Sequence, residues 1–122
     1  MQKLLLFPFV PQIEQGAYKI AAFSKEDFVE LHYHLFQDIY PFAGQFRKVQ
    51  LMKGATRFCQ VQFLNLYTSD LFNQLENEAN WDSLELAAKR LAYFKSELNM
   101  LHPFREGNGR TTRIFLQEYT KT

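Results

Sequence analysis

The chemistry of this chain concentrates in one run: His102-Pro103-Phe104-Arg105-Glu106-Gly107-Asn108-Gly109-Arg110-Thr111-Thr112-Arg113. The Gly107-Asn108-Gly109 bend opens a helix, whose first backbone N–H groups lack helical acceptors and form a ready anion site. Arg110 falls in the first turn, and Arg113 follows three residues later on the same face. Positive charge there opposes the helix dipole. It is a poor choice for stability and a sensible one for gripping a polyphosphate. Glu106 beside a polyphosphate would be repelled unless a divalent cation lay between them, and Mg²⁺ suits ligation by carboxylate plus phosphate. His102 is the one nearby side chain that is a good base at neutral pH. Phe104, between polar neighbours, plugs the loop into the core. Singly, these residues read as a helix cap, a solvated face and a common turn. Together and in this order they have few bland explanations.

The elements that must hold this run are mostly helical. Ser24 is an N-cap with Asp27 at the capping-box position, and Phe28, Leu31, Leu35, Phe36 and Ile39 recur at helical spacing up to Pro41. His32 and His34 on this helix do not share a face, so they read as structural or exposed, not as metal ligands. A turn with Gly44 leads to two extended runs, 47–52 and 57–61, flanking Lys53-Gly54-Ala55-Thr56. These form a β-hairpin or flap that must lean on the helices, because a lone hairpin is marginal. Leu64, Tyr67, Leu71 and Leu75 mark a helix over 64–79. Asp82 or Ser83 caps a longer one, with Leu84, Ala87, Leu91, Phe94, Leu98 and Leu101 as its stripe. Ala88 and Ala92 would let a neighbour approach closely. Pro103 stops that helix at about Leu101, and a last helix follows Gly109 with Ile114, Phe115 and Tyr119 on its apolar side. The expected fold is mainly α, a small bundle with one β-hairpin flap. One domain spans 1–122, with an N-terminal segment over 1–23 and the core over 24–122.

Composition narrows the function. The 122 residues are 47% hydrophobic and 22% charged, which is globular and not disordered. Aromatics at 16% supply the volume for a single core. A formal net charge of +1 gives no footprint for nucleic acid, so no nucleic-acid partner is expected. Cys59 is the lone cysteine, which excludes an internal disulfide or a Cys-based metal site, and it reads as inert. No stretch reaches the roughly 20 apolar residues of a membrane span, and no membrane partner is expected. Residues 1–10 are apolar but broken by Pro8, and read as a core-packing segment rather than a signal.

The 102–113 run resembles the signature of the Fic family of nucleotidyl transferases, His-x-Phe-x-Asp/Glu-Gly-Asn-Gly-Arg-x-x-Arg. His102, Phe104, Glu106, Gly107, Asn108, Gly109, Arg110 and Arg113 meet every fixed position. A second region also resembles the family: Leu31-His32, Leu35-Phe36, Asp38 to Pro41, Ala43-Gly44, Arg47, Lys53-Gly54 and Phe58. The resemblance covers roughly 25–119. It implies a Mg-dependent protein adenylyltransferase that moves AMP from ATP to a Tyr, Thr or Ser hydroxyl. His102 would be the general base and Glu106 the Mg²⁺ ligand. Asn108 and the backbone of Gly107 and Gly109 would cradle phosphates, with Arg110 on the β- and Arg113 on the γ-phosphate. Lys53 and Gly54 belong to the family's flap, counted with the ATP site, where a target segment docks by β-augmentation. The intact Gly-Asn-Gly-Arg run favours AMP transfer over the family's phosphotransferase branch.

Many members are restrained by a helix bearing Ser/Thr-x-x-x-Glu-Gly/Asn, whose Glu pairs with the second motif Arg. These 122 residues contain no such pattern. The resemblance therefore implies another segment, or a small antitoxin-like inhibitor, as its source. The setting would be bacterial cytoplasm, or a host cell after delivery. Alternatives are a nucleotide-binding pseudoenzyme, a truncated toxin core, or a helical scaffold whose loop only holds an anion. His102 and Glu106 favour the enzyme, since anion binding needs neither.

Overall fold

The fold is given by a computed structural model that describes residues 18–122. The expectation for residues 1–10 lies outside the described residues. Helix α1 is Lys25–Phe36, and Ser24 caps it with the full capping box: its hydroxyl accepts from Asp27 N while the Asp27 carboxylate reaches back to the Ser24 amide. Such a cap contributes about 1 kcal/mol. The helix ends at Phe36, short of Tyr40. The amides of Ile39 and Tyr40 both donate to the Phe36 carbonyl, so the chain tightens into turns before Pro41. Ile39 consequently lies off the apolar stripe and is 63% exposed.

The hairpin is much shorter than the two extended runs suggest. Strand β1 is Met52–Lys53 and β2 is Thr56–Arg57, antiparallel, with Met52 opposite Arg57 and Lys53 opposite Thr56. Gly54 at φ +60° takes the first central turn position, where a type II′ hairpin requires a positive φ. Beyond the strands one cross-hairpin backbone bond remains, from Phe58 N to Leu51 O at 3.2 Å, and side chains add to it. Gln50 Nε2 donates to the carbonyls of Phe58 and Cys59, and Gln50 Oε1 accepts from Val61 N. The flap leans on the helices as expected: Cys59 N donates to the Met100 carbonyl at 2.9 Å.

A 3-10 turn, Val61–Phe63, leads into α2, Leu64–Glu76. Leu64, Leu71 and Leu75 are buried, but Tyr67 points outward. Helix α3 is Leu84–Leu101, capped by the Ser83 hydroxyl. Leu84 opens it at 80% exposure, and Ala88 and Ala92 are also exposed, so among the described residues no neighbour closes over them. The buried stripe of α3 is Ala87, Phe94, Leu98 and Leu101. Helix α4, Asn108–Tyr119, starts within the Gly-Asn-Gly bend. It packs against α3 and α1, while α2 packs against α3.

Phe28 sits at the centre of the core. Its ring lies 5.2 Å from Phe72, 5.2 Å from Phe115 and 5.7 Å from Phe104. Phe104 does plug the loop into this cluster, fully buried. Full burial of each such ring contributes about 1.5–3 kcal/mol. The aromatic cluster is the anvil on which the 102–113 loop is shaped.

Candidate active site

Three devices fix the loop between α3 and α4. The first is its own asparagine. Asn108 Oδ1 accepts from Phe104 N at 2.8 Å, and Asn108 Nδ2 donates to Phe104 O at 2.6 Å. The carboxamide expected to cradle phosphates is thus spent on closing the loop. What Asn108 can offer an anion is its backbone amide, in the first turn of α4. The second device is Gly107 at φ +83°. A Cβ there would run into the Phe36 ring, so glycine is required by space as well as by backbone.

The third is His32, buried at 0% exposure. Its ring stacks on Phe104 with centroids 3.7 Å apart and 8° between planes. Gly44 N donates to Nδ1 at 2.9 Å, which forces Nδ1 to be the acceptor. The proton is then on Nε2, which donates to the Glu106 carbonyl at 2.9 Å. Burial pushes the His32 pKa down, partly opposed by that carbonyl. His32 is therefore a neutral structural post that holds the backbone of Glu106. Sequence reasoning placed it as structural but missed this task. The signal was present: Phe28, His32 and Phe36 follow at i, i+4 on one buried face.

His102 ends α3 in the left-handed region, at φ 47° and ψ 59°. That geometry turns the chain sharply and leaves the ring half-buried, stacked on Phe58 at 3.8 Å with 8° between planes. Burial lowers its pKa most. The Asn99 carbonyl opposes this, the positive charges of Arg47 and Lys53 add to the lowering, and Glu106 opposes it. Among the described residues, no hydrogen bond of good geometry reaches the buried Nδ1. The ring is a neutral base near pH 7 beside a positively charged flap.

The structure brings Lys53 and Glu106 each within electrostatic reach of His102. Glu106 is exposed, its backbone held and its carboxylate at the surface. Arg110 is half-buried with its guanidinium 6.0 Å over the Phe36 ring. Arg113 is exposed one turn later, and its Nη1 would lie 3.4 Å from a methyl placed at Gly109. The arginine thus folds back over the first turn of α4. Gly54 stands at the flap tip with nothing within 4 Å of its Cβ position. Apart from its chain neighbour Lys53, no other predicted site residue comes within 4 Å of that position. Cys59 is half-buried, and burial pushes its thiol pKa up, away from nucleophile chemistry.

Among the described residues no group of three or more His, Cys, Asp or Glu could hold a metal. A single exposed carboxylate fits only a cation that draws its remaining ligands from substrate and water. That donor set matches Mg²⁺ on a nucleotide. A groove of about 840 Å³ lies on the far side of the flap, lined by Phe58, Phe63, Tyr67, Leu71 and Met100 among others. It contains no residue of the 102–113 loop except through the Phe58 ring behind His102. The candidate residues of the 102–113 run therefore lie outside this groove. No helix among the described residues is long and apolar enough to cross a membrane.

The family model of the Fic/DOC family matches residues 22–120. The chain is 42% identical over 94 residues to a probable protein adenylyltransferase, y4lH, of Sinorhizobium fredii, covering 75% of this chain and 49% of that protein. It is 35% identical over 122 residues to the probable protein adenylyltransferase Fic of Escherichia coli, covering 88% and 60%. It is 33% identical over 118 residues to the protein adenylyltransferase VbhT of Bartonella schoenbuchensis, covering 94% and 25%. The chain spans about half the length of the first two relatives and a quarter of the third.

Proposed function

This chain belongs to the Fic/DOC family, and from that premise we propose that it transfers AMP from ATP to a hydroxyl of a target protein. The observation that carries the reading is His102: a ring held neutral by burial, beside the flap and four residues from an exposed carboxylate. A loop that merely held an anion would have no use for a neutral base there.

The hydroxyl oxygen of a target Tyr, Thr or Ser attacks the α-phosphorus of ATP. The bond from that phosphorus to the bridging oxygen of the β-phosphate breaks, pyrophosphate leaves, and His102 takes the hydroxyl proton. The products are the AMP-modified side chain and pyrophosphate. The first-turn amides of α4, with Arg110 and Arg113, hold the phosphates in line. Glu106 would hold Mg²⁺ against the bound nucleotide, where the cation would supply charge neutralisation for the leaving group. The short flap offers an extended target segment unpaired strand edges beside Lys53 and Gly54. Arg113 is the natural partner of the γ-phosphate. A glutamate supplied by another segment or by a small inhibitor could pair with it and exclude that phosphate.

The test is transfer of label from ATP in a cell lysate. Label retained from the α position and absent from the γ position supports AMP transfer. Label from γ alone indicates kinase chemistry, and label from neither overturns the reading. Mass spectrometry of the labelled band then names the acceptor residue.

A further inference from the structure

Arg47 is buried to 3% exposure, yet among the described residues no carboxylate partners it. Its acceptors are all carbonyl oxygens. Nε donates to His102 O at 2.7 Å, and one terminal nitrogen donates to Leu101 O at 3.0 Å and to Cys59 O at 2.6 Å. The other terminal nitrogen donates to Val49 O at 2.8 Å, and the backbone N–H donates to Pro103 O at 2.8 Å. Three consecutive carbonyls, of Leu101, His102 and Pro103, thus converge on one residue.

This pattern has a physical cause. A helix C-terminus leaves its last carbonyls without helical donors and carries the negative end of the dipole. Pro103 has no N–H to return to them, and the Phe104 N–H is spent on Asn108 Oδ1. A guanidinium meets that need with charge and with a rigid fork that a lysine lacks. Burial lowers the Arg47 pKa, but the ring of oxygens keeps the cation tolerable. The same fork also grasps Val49 O and Cys59 O, at the two roots of the flap. Gln50, by contrast, ties flap residues only to one another. Among the described residues, the flap's hydrogen bonds to the end of α3 run through Arg47 and through Cys59 N to Met100 O.

We propose that Arg47 is a positioning residue for the transfer, locking the backbone of His102 and the two roots of the flap into one rigid unit. Base and target-docking edge then keep a fixed spacing without either touching the other's backbone. The proposal rests on the adenylyl-transfer reading above.

The test pairs amide hydrogen exchange on the whole chain with transfer kinetics for Arg47→Lys, Arg47→Gln and Gln50→Ala. In the folded Arg47→Lys protein, the amides of residue 47 and Cys59 should lose protection together, by at least about tenfold beyond any global change. In Gln50→Ala the amide of Arg47 should stay protected. In transfer, Arg47→Lys should lower kcat about 10–100-fold with the KM for ATP within about threefold, the cost of a base displaced by about an ångström. Arg47→Gln, lacking the charge as well, should fall further. Unchanged protection of either amide, a wild-type kcat, or a KM for ATP that rises as kcat falls would overturn the proposal. If neither Arg47 variant folds, exchange in the unmodified chain decides. The Arg47 and Cys59 amides opening in one step supports the proposal, and independent opening overturns it. Absence of transfer by the unmodified chain overturns the functional reading instead, and the exchange data separate the two failures.

Discussion

Two histidines in this protein lie flat on two phenylalanines in almost the same way. His32 stacks on Phe104 at 3.7 Å and His102 on Phe58 at 3.8 Å, each with 8° between the planes. Burial lowers the pKa of both. Their ring nitrogens differ. His32 uses both, accepting from Gly44 and donating to Glu106, and is sealed from solvent. His102 is half-buried, with no good hydrogen bond to Nδ1 among the described residues. The ring sealed at both nitrogens is a post, and the half-buried one is the candidate tool. Stacking is common to both, so an aromatic neighbour does not tell them apart. Glu106 joins them, with its carbonyl on the first and its carboxylate acting on the second.

The strongest break of this comparison is at the tool. His102→Ala should lower AMP transfer about 10²–10⁴-fold, the usual cost of a positioned general base. ATP binding, measured by calorimetry, should stay near wild type, because His102 is placed on the incoming hydroxyl and not on the nucleotide. A large joint loss of ATP affinity would contradict that role.

At the post the loss should appear in stability. His32→Ala strands the Gly44 N–H and the Glu106 carbonyl and uncovers the Phe104 ring. Each stranded buried group costs roughly 1–3 kcal/mol, so denaturant unfolding should report a loss of about 2–5 kcal/mol. His32→Phe keeps the stack and drops both bonds, and should recover only the packing part. Equal stability of His32→Phe and the unmodified chain would show that the two hydrogen bonds are not what holds the loop.

This contrast also marks how far the sequence could be read. The helices, the Ser24 capping box, the end of α3 at Leu101 and the burial of Phe104 follow from spacing, caps and Pro103, all of which act within a few residues. Leu84 and Tyr67 fit the same periodicity and are exposed, because a stripe does not say where its neighbour ends. Most of the candidate site residues were named from their order in one run, with Lys53 and Gly54 added from the flap. Their supports were not. Arg47 meets carbonyls 54 and 55 residues away, and His32 meets a carbonyl 74 residues away. Backbone acceptors leave no mark in a sequence, so a residue that binds only carbonyls has no visible partner. Asn108 shows the converse: a motif residue assigned to the ligand spends its side chain on the loop.

A smaller effect is expected where the two histidines share a residue. Glu106→Gln keeps the carbonyl that His32 holds and removes the carboxylate. Stability should stay within about 0.5 kcal/mol, as for other exposed changes. Transfer should fall, and raising Mg²⁺ should restore part of it, measured as initial rate against Mg²⁺ concentration. A rate indifferent to Mg²⁺ would remove Glu106 from the metal.

The finest discrimination comes from pH, because protonation of either ring costs stability but only that of His102 should cost activity. Both folded pKa values lie below the ordinary histidine value of about 6.5. A depressed group adds stability that is complete above its unfolded pKa and is lost as pH falls through its folded pKa. Unfolding free energy should therefore be flat above pH 6.5 and decline below it. His32→Gln should flatten more of that decline than His102→Gln, since protonating His32 sets an N–H against the Gly44 N–H. For activity only His102 counts: the rate should hold at neutral pH and fall on an acidic limb below 6.5. Lys53→Ala removes a positive charge that pushes the His102 pKa down. The folded pKa must then rise, and the acidic limb of kcat/KM must move to higher pH. Lys53→Glu should move it further in the same direction. A limb that stays in place in both variants would mean that the flap does not tune the base, and that the two histidines differ by their hydrogen bonds alone.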